Sequence, residues 1–252
     1  MKVAVCVKHA VDESELKLDA NGSPLLSGAA AKMSAFDKNA VEEGIRLKAK
    51  HAGEVAIFTV GLPESRKSMK EALAMGADRG TIISADPLAI DTFRTAELLA
   101  HALTKSGPFD VILCSEGSSD TYSGQVPPMI GELLGIPFLG YVRKIEVEGQ
   151  TARVERSLED SLEVVETPVP FVASVVSEIN EPRYPTLIQI MQASKKPIEE
   201  ISPDSVPSDA AGKAELVSMS AQPTSRKHIV IDGTPEEAAA KLLEALKKEG
   251  VI

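Results

Sequence analysis

The chain has 252 residues, 43% of them hydrophobic and 4% aromatic with no Trp, and its 37 acidic against 27 basic side chains give a net charge of −10 and a pI near 5.0. That length can bury a full core in one elaborate domain or a domain with an appendage, while the acidic balance and scarcity of aromatics argue against nucleic acid and anionic membrane as partners. No apolar run approaches the roughly 18 residues of a spanning helix, Met1-Lys2 leads directly into strand-like residues with no signal segment, and the only thiols are Cys6 and Cys114, so a cytoplasmic chain with reduced, buried cysteines is expected.

Val3 to Val7 is a continuous apolar run, the pattern of a strand covered on both faces of a parallel sheet. Lys8 and His9 follow at its C-terminal end, the edge where open α/β sheets bind ligands, although His9 reads more simply as an ordinary surface residue. Asp12 to Leu26 is polar, with a turn at Asn21-Gly22 that suggests a hairpin outside the main sheet. Ser34 with Asp37 three residues on is a capping-box pattern for a helix bearing Ala40, Val41, Gly44, Ile45 and Leu47. Phe36, in its first turn, reads as a hydrophobic staple in preference to a ring aimed at a ligand. Glu54 to Val60 is the second strand, and Ser65 to Met75 a helix with Met69, Ala72 and Leu73 inward. Thr81 to Ile83 is the third strand, and Asp91 caps a helix carrying Ala96, Leu98, Leu99, Ala102 and Leu103 that ends at Gly107-Pro108.

The fourth strand, Val111 to Cys114, runs through the small-residue loop Ser115 to Gln125 into a helix with Val126, Met129, Ile130, Leu133 and Leu134 at helical spacing. Glycine and serine let a backbone approach a phosphate, and a helix start offers free N–H groups. The same residues also make ordinary turns and caps, and the loop alone leaves both readings open. Strand and helix alternate four times, which predicts an α/β fold with a doubly wound, mostly parallel, Rossmann-like sheet. In such a sheet Lys8 and the loop meet across the topological switch point.

Beyond Pro137 the pattern changes to β-type stretches at Tyr141 to Glu148, Thr151 to Leu158 and Leu162 to Thr167, an antiparallel meander, after which Phe171 to Val176 returns to the parallel sheet. Asn180-Glu181-Pro182-Arg183-Tyr184-Pro185 leads into a short helix from about Thr186 that leaves many apolar residues exposed, among them Tyr184, Leu187, Ile188 and Met191, a candidate partner surface. Lys195 to Arg226 is rich in Pro, Ser and Ala and reads as an extended arm. Thr234-Pro235-Glu236-Glu237 then opens a helix with Leu242, Leu243 and Leu246. The expected division is a nucleotide-binding domain over 1–194, with the partner segment at 180–194, and an arm and helix over 195–252 that wrap a partner subunit.

No Walker-type loop, G-x-G-x-x-G fingerprint or G-x-S-x-G elbow is present, and His9, His51, His101 and His228 fall in separate elements without metal-ligand spacing. The residues suit holding a nucleotide better than breaking bonds; no catalytic or metal-binding residue is assigned.

Across its whole length the sequence resembles the β subunit of electron transfer flavoproteins, a family that includes the FixA-type proteins. The resemblance rests on Val5-Cys6-Val7-Lys8, Ala40-Val41-Glu42-Glu43 with Arg46-Leu47-Lys48, Ala72 to Gly80, Val154-Glu155-Arg156, and above all Asn180-Glu181-Pro182-Arg183-Tyr184 through Thr186-Leu187 and Ile190-Met191. It implies a heterodimer with an α subunit that holds the main FAD, while this chain holds AMP or, in bifurcating relatives, a second FAD. It also implies electrons taken from dehydrogenases, such as acyl-CoA dehydrogenases, and relayed to a quinone oxidoreductase or similar acceptor. By position the nucleotide site falls on Cys6, Ser34, Asp37, Val60 and the loop from Ser115 to Val126, of which Ser115, Gly117, Asp120, Ser123, Gly124, Gln125 and Val126 are the candidate ligands; Lys8 joins them from its place at the strand end. Phe36 matches an aromatic near the α-subunit flavin, and Leu187 a leucine that inserts into partner dehydrogenases. In the bifurcating and FixA-type relatives the loop reads close to D-G-D-T-A-Q-V-G-P; here Tyr122 replaces the second Asp and Pro127 the last Gly. Those departures remove space and one N–H donor, which favours AMP over a second flavin. A reading from another class is a free-standing nucleotide sensor of the universal-stress type.

Overall fold

The computed structural model describes residues 1–26, 28–207, 213–220 and 228–252. Its strands and helices are β1 (Lys2–Cys6), β2 (His9–Val11), β3 (Ala31–Met33), α1 (Ala35–His51), β4 (Glu54–Val60), α2 (Arg66–Met75), β5 (Arg79–Ile83), α3 (Thr92–Ser106), β6 (Val111–Ser115), α4 (Val126–Leu134), β7 (Phe138–Glu148), β8 (Thr151–Ser157), β9 (Leu162–Pro168), β10 (Phe171–Val175), α5 (Leu187–Ala193), β11 (Ile198–Ile201) and α6 (Pro235–Lys248). A nine-stranded sheet has the order β11-β5-β4-β1-β6-β10-β7-β8-β9. Every pairing is parallel except β7 with β8 and β8 with β9. The meander is therefore an extension of the main sheet, joined where β7 lies parallel beside β10.

The unbroken apolar strands have a simple cause. Val3 and Val5 face a core shared with Ala40, Val41 and Ile45 of α1 and Met69, Leu73 and Met75 of α2. Ala4 and Cys6 point the other way, into a core with Leu98, Leu99 and Leu103 of α3 and Ile130 of α4. With helices on both faces, a polar strand position is costly, and few occur; the buried hydroxyl of Thr59 in β4 has no hydrogen-bond partner among the described residues. Gly44 lets α1 lie close to the sheet, since a Cβ there would stand 3.0 Å from Val5 Cγ2.

Three local expectations change. The Ser34–Asp37 capping box does not form: Ser34 occupies the N-cap position without a side-chain cap, and both side chains reach across to other strands and loops. Phe36 is no staple either, because its ring packs edge-on against Tyr122, with centroids 5.4 Å apart. Within the stretch read as an arm, Ile198–Ile201 forms β11, pairing with β5 from Gly80 to Ile83 and ending on buried Ile201. The part of that stretch at 208–212 and 221–227 lies outside the described residues. The turn at Asn21-Gly22 closes a bridge between Leu18 and Pro24, and β2 pairs antiparallel with β3 around it.

The chain divides into two compact units, Met1–Met219 and Ser220–Ile252. The first extends past the 194/195 division read from sequence because it includes β11. In the second, α6 opens with the expected capping box, Thr234 Oγ accepting from Glu237 N–H and the Glu237 carboxylate accepting from Thr234 N–H. No helix of the described residues is long and apolar enough to cross a membrane.

Candidate functional site

β1 and β6 are neighbours, and the chain leaves them toward opposite sides of the sheet, so their C-terminal ends open a crevice at the switch point. A cavity of about 930 Å³ lies there, lined by Cys6, Lys8 and Asp37 on one side and by Ser115, Gly117 and the turn Ser123 to Val126 on the other, with Val60 from the end of β4. Of the residues expected in the site, these share the cavity wall. Ser34, Phe36 and Asp120 are not on it.

Asp37 ties the crevice together. Its buried carboxylate accepts from Lys8 N–H at 2.6 Å and from Ser115 Oγ at 2.6 Å, joining the ends of β1 and β6 to the first turn of α1. Burial pushes its pKa up to about 7, against the opposing pull of the Ser115 and Lys8 hydrogen bonds. Ser115 Oγ also lies 2.9 Å from the Gly117 carbonyl, which gives its hydroxyl a second acceptor when Asp37 is protonated.

The loop is held from outside. Lys8 Nζ forms an ion pair with Asp120 at 2.7 Å and lies 3.4 Å from Thr121 Oγ1. Burial raises the Asp120 pKa, but the bond and charge of Lys8 with the Ser118 hydroxyl more than reverse it, leaving the carboxyl below its ordinary value. Ser119 N–H donates to Ser34 Oγ at 3.2 Å. Tyr122 adopts φ +46° and lays its ring over Gly117, where a Cβ would fall 2.6 to 2.9 Å from ring carbons. Gly124 follows at φ +63°. The backbone thus turns sharply, and among the described residues the N–H groups of Ser123, Gly124, Gln125 and Val126 have no acceptor. Consecutive unengaged amides beside a lysine at a helix start form an anion cradle, and the absence of a side chain at Gly124 leaves it open. A phosphate group fits this donor set.

Other walls were not foreseen. Pro87 to Asp91, between β5 and α3, and Thr92 and Phe93 at the start of α3 line the cavity, as do Ala214, Leu216 and Met219 from the C-terminal stretch. Asp91 joins them: one oxygen caps α3 through Arg94 N–H at 2.7 Å, and the other accepts from the N–H groups of Lys213 and Ala214. Those bonds, led by that from Arg94, hold its pKa below the usual carboxylate range. The signal that finds the β5 loop is the strand-end rule, applied in the sequence only to the first and fourth strands; nothing in the composition of 213–219 marks it as a wall.

Away from the cavity, Thr186 caps α5 with a full capping box. Tyr184 is 90% exposed and Leu187 72%, and Ile188, Ile190 and Met191 are exposed as well. Only Ala193 of this helix is buried.

A family model described as the electron transfer flavoprotein domain matches residues 26–206. Curated relatives named electron transfer flavoprotein subunit beta align over 100% of both chains: 33% identical in Thermoanaerobacterium thermosaccharolyticum, 34% in Bacillus subtilis and 32% in Clostridium acetobutylicum.

Proposed function

The chain belongs to the electron transfer flavoprotein family, among its β subunits, and on that premise we propose that it is an electron-carrier subunit that binds AMP in the switch-point cavity and pairs with an FAD-bearing α subunit. The observation that carries the nucleotide reading is the run of unengaged amides from Ser123 to Val126, in residues that line the same cavity as Lys8. They receive the phosphate, Lys8 supplies the compensating charge, and Val60 with Leu216 and Met219 offers apolar contact to a base. The flavin of the complex supplies reversible electron uptake and release. This chain positions the partners: Phe36 and Tyr122 form an aromatic corner beside the loop, and the exposed face of α5 with Tyr184 receives a donor dehydrogenase, Leu187 serving as the anchor. Electrons then pass to a quinone oxidoreductase or comparable acceptor.

AMP is favoured over a second FAD by Tyr122, whose ring fills the space above Gly117, and by Pro127, which has no N–H for a longer phosphate chain. Mass analysis of the ligands released from the co-purified complex tests this. One AMP and one FAD per heterodimer is expected; two FAD and no AMP would replace it with the bifurcating reading.

A further inference from the structure

An exposed apolar segment is expensive to hold in one shape, because few of its own side chains are buried to offset the lost entropy. The stretch from Tyr184 to Gln192 is such a segment, yet both its ends are pinned by charged groups. At the entrance, Glu42 of α1, with a side chain only 4% exposed, takes the Arg183 guanidinium at two points, Nε to Oε2 at 2.7 Å and Nη2 to Oε1 at 3.0 Å. The Arg183 backbone N–H also donates to Oε2, at 3.3 Å. Arg46 steadies the same carboxylate at 2.8 Å. One residue group upstream, Asn39 and Asn180 exchange side-chain to backbone bonds at 2.8 and 3.0 Å, and Glu43 accepts from Asn180 Nδ2 at 3.1 Å. At the exit, Lys196 Nζ donates to the carbonyls of Leu73 at 2.8 Å and Ala77 at 2.5 Å, at the C-terminal end of α2, where a helix favours a cation.

These bonds join sequence stretches far apart, and none of them packs a core or touches the nucleotide cavity. What they share is the stretch they enclose. We propose that Glu42, with Arg183, and Lys196 are positioning residues that hold the α5 segment in its docking-competent shape before the donor arrives. The donor then meets Leu187, Ile188 and Met191 already presented, and the ordering cost is not charged to the encounter. Arg183 carries this role through its planar two-point fork, which a lysine cannot reproduce. Burial works against the Glu42 charge, but the Arg183 and Arg46 bonds win and keep its carboxyl below the ordinary value, consistent with a firm pair.

This inference rests on the docking role proposed above, and the experiment separates the two. Glu42→Gln, Arg183→Lys, Arg183→Gln and Leu187→Ala are made in the full heterodimer. Each is read by amide hydrogen exchange over 184–193 and by the affinity for an acyl-CoA dehydrogenase from the same source. Arg183→Gln, on the solvent side of the pair, guards against a folding defect from the buried glutamate. Glu42→Gln and Arg183→Gln are expected to speed exchange over 184–193 about tenfold, with exchange in the β7–β8 meander unchanged, and to weaken dehydrogenase binding about tenfold. Arg183→Lys should fall between them and the unaltered protein. Unchanged exchange over 184–193 overturns the inference. So does unchanged affinity in Arg183→Gln when Leu187→Ala loses binding in the same assay. If Leu187→Ala binds normally, the docking reading fails instead, and the exchange result alone decides whether the segment is held by these anchors.

Discussion

Replacing Asp37 by Asn should change how stability depends on pH. In the folded chain burial holds the Asp37 carboxyl at a pKa of about 7 against the usual 3.8. A group whose folded pKa is raised contributes fully below its unfolded value and loses that contribution as pH rises through the folded one. Asp37 is protonated in both states below about pH 4 and ionised in both above about 7, so the loss accrues between them. A gap of about 3 units corresponds to ~4 kcal/mol, accumulating at up to ~1.4 kcal/mol per pH unit. Asn fits the site: its carbonyl can accept from Lys8 N–H, and its amide can donate to Ser115 Oγ, whose own proton then turns to the Gly117 carbonyl 2.9 Å away. Urea unfolding of nucleotide-free protein, unaltered and D37N, between pH 4.5 and 8 gives the difference directly. The gap should swing toward the variant as pH rises across this window. A gap that stays flat would refute the placement of a buried, proton-sharing carboxyl beneath the cradle.

Lys8→Met removes the cation beside the free amides, and a charged hydrogen bond worth ~1.5–3 kcal/mol predicts a loss of nucleotide affinity of roughly 10- to 100-fold, checked by calorimetric titration with AMP. Gly117→Ala forces a methyl to within 2.6 to 2.9 Å of the Tyr122 ring; overpacking of about 1–3 kcal/mol should lower Tm, and Tyr122→Ala in the same chain should recover most of it. Leu187→Ala deletes an exposed side chain and so should leave Tm unchanged, while weakening docking by roughly 1–3 kcal/mol, visible as a raised KM for the donor dehydrogenase.

The parallel sheet was legible because its strands are covered on both faces, and that forces unbroken runs such as Val3 to Val7 and Phe171 to Val176. The caps at Asp91 and Thr234 were legible because a cap is a local bond between residues three apart; the same box at Thr186, with Gln189 as its third residue, went unread beside the prolines. Ser34 and Asp37 misled for the same reason. Their pattern is local, but the ends of β1 and β6 offer Asp37 stronger donors and Ser119 takes the Ser34 hydroxyl, partners that only the folded sheet supplies. β11 was hidden by its sequence, Ile198-Glu199-Glu200-Ile201: an edge strand pairs on one side only and keeps its two glutamates exposed, so it shows neither an apolar run nor alternation. The walls of the cavity at 213–219 had no signal, since a stretch tied down through the Asp91 carboxylate and the Phe93 ring under Lys213 needs no pattern of its own.

The position of the donors bears on what the cradle can hold. Most helix-start phosphate sites draw on the N–H groups of the first turn, but α4 begins Val126-Pro127-Pro128, and the prolines have no N–H to give. Its donors are therefore displaced backward into the turn from Ser123 to Val126, which Tyr122 and Gly124 bend with positive φ values of 46° and 63°. On the proposed nucleotide reading this suits a single compact anion between the turn and Lys8, since Pro127 and Pro128 offer no second row of amides for another phosphate. Restoring a donor by Pro127→Gly, together with Tyr122→Asp to clear the space over Gly117, should raise affinity for a dinucleotide such as FAD relative to AMP. If the double variant keeps its original AMP preference in competitive titration, the selectivity proposed for this loop does not reside in these residues.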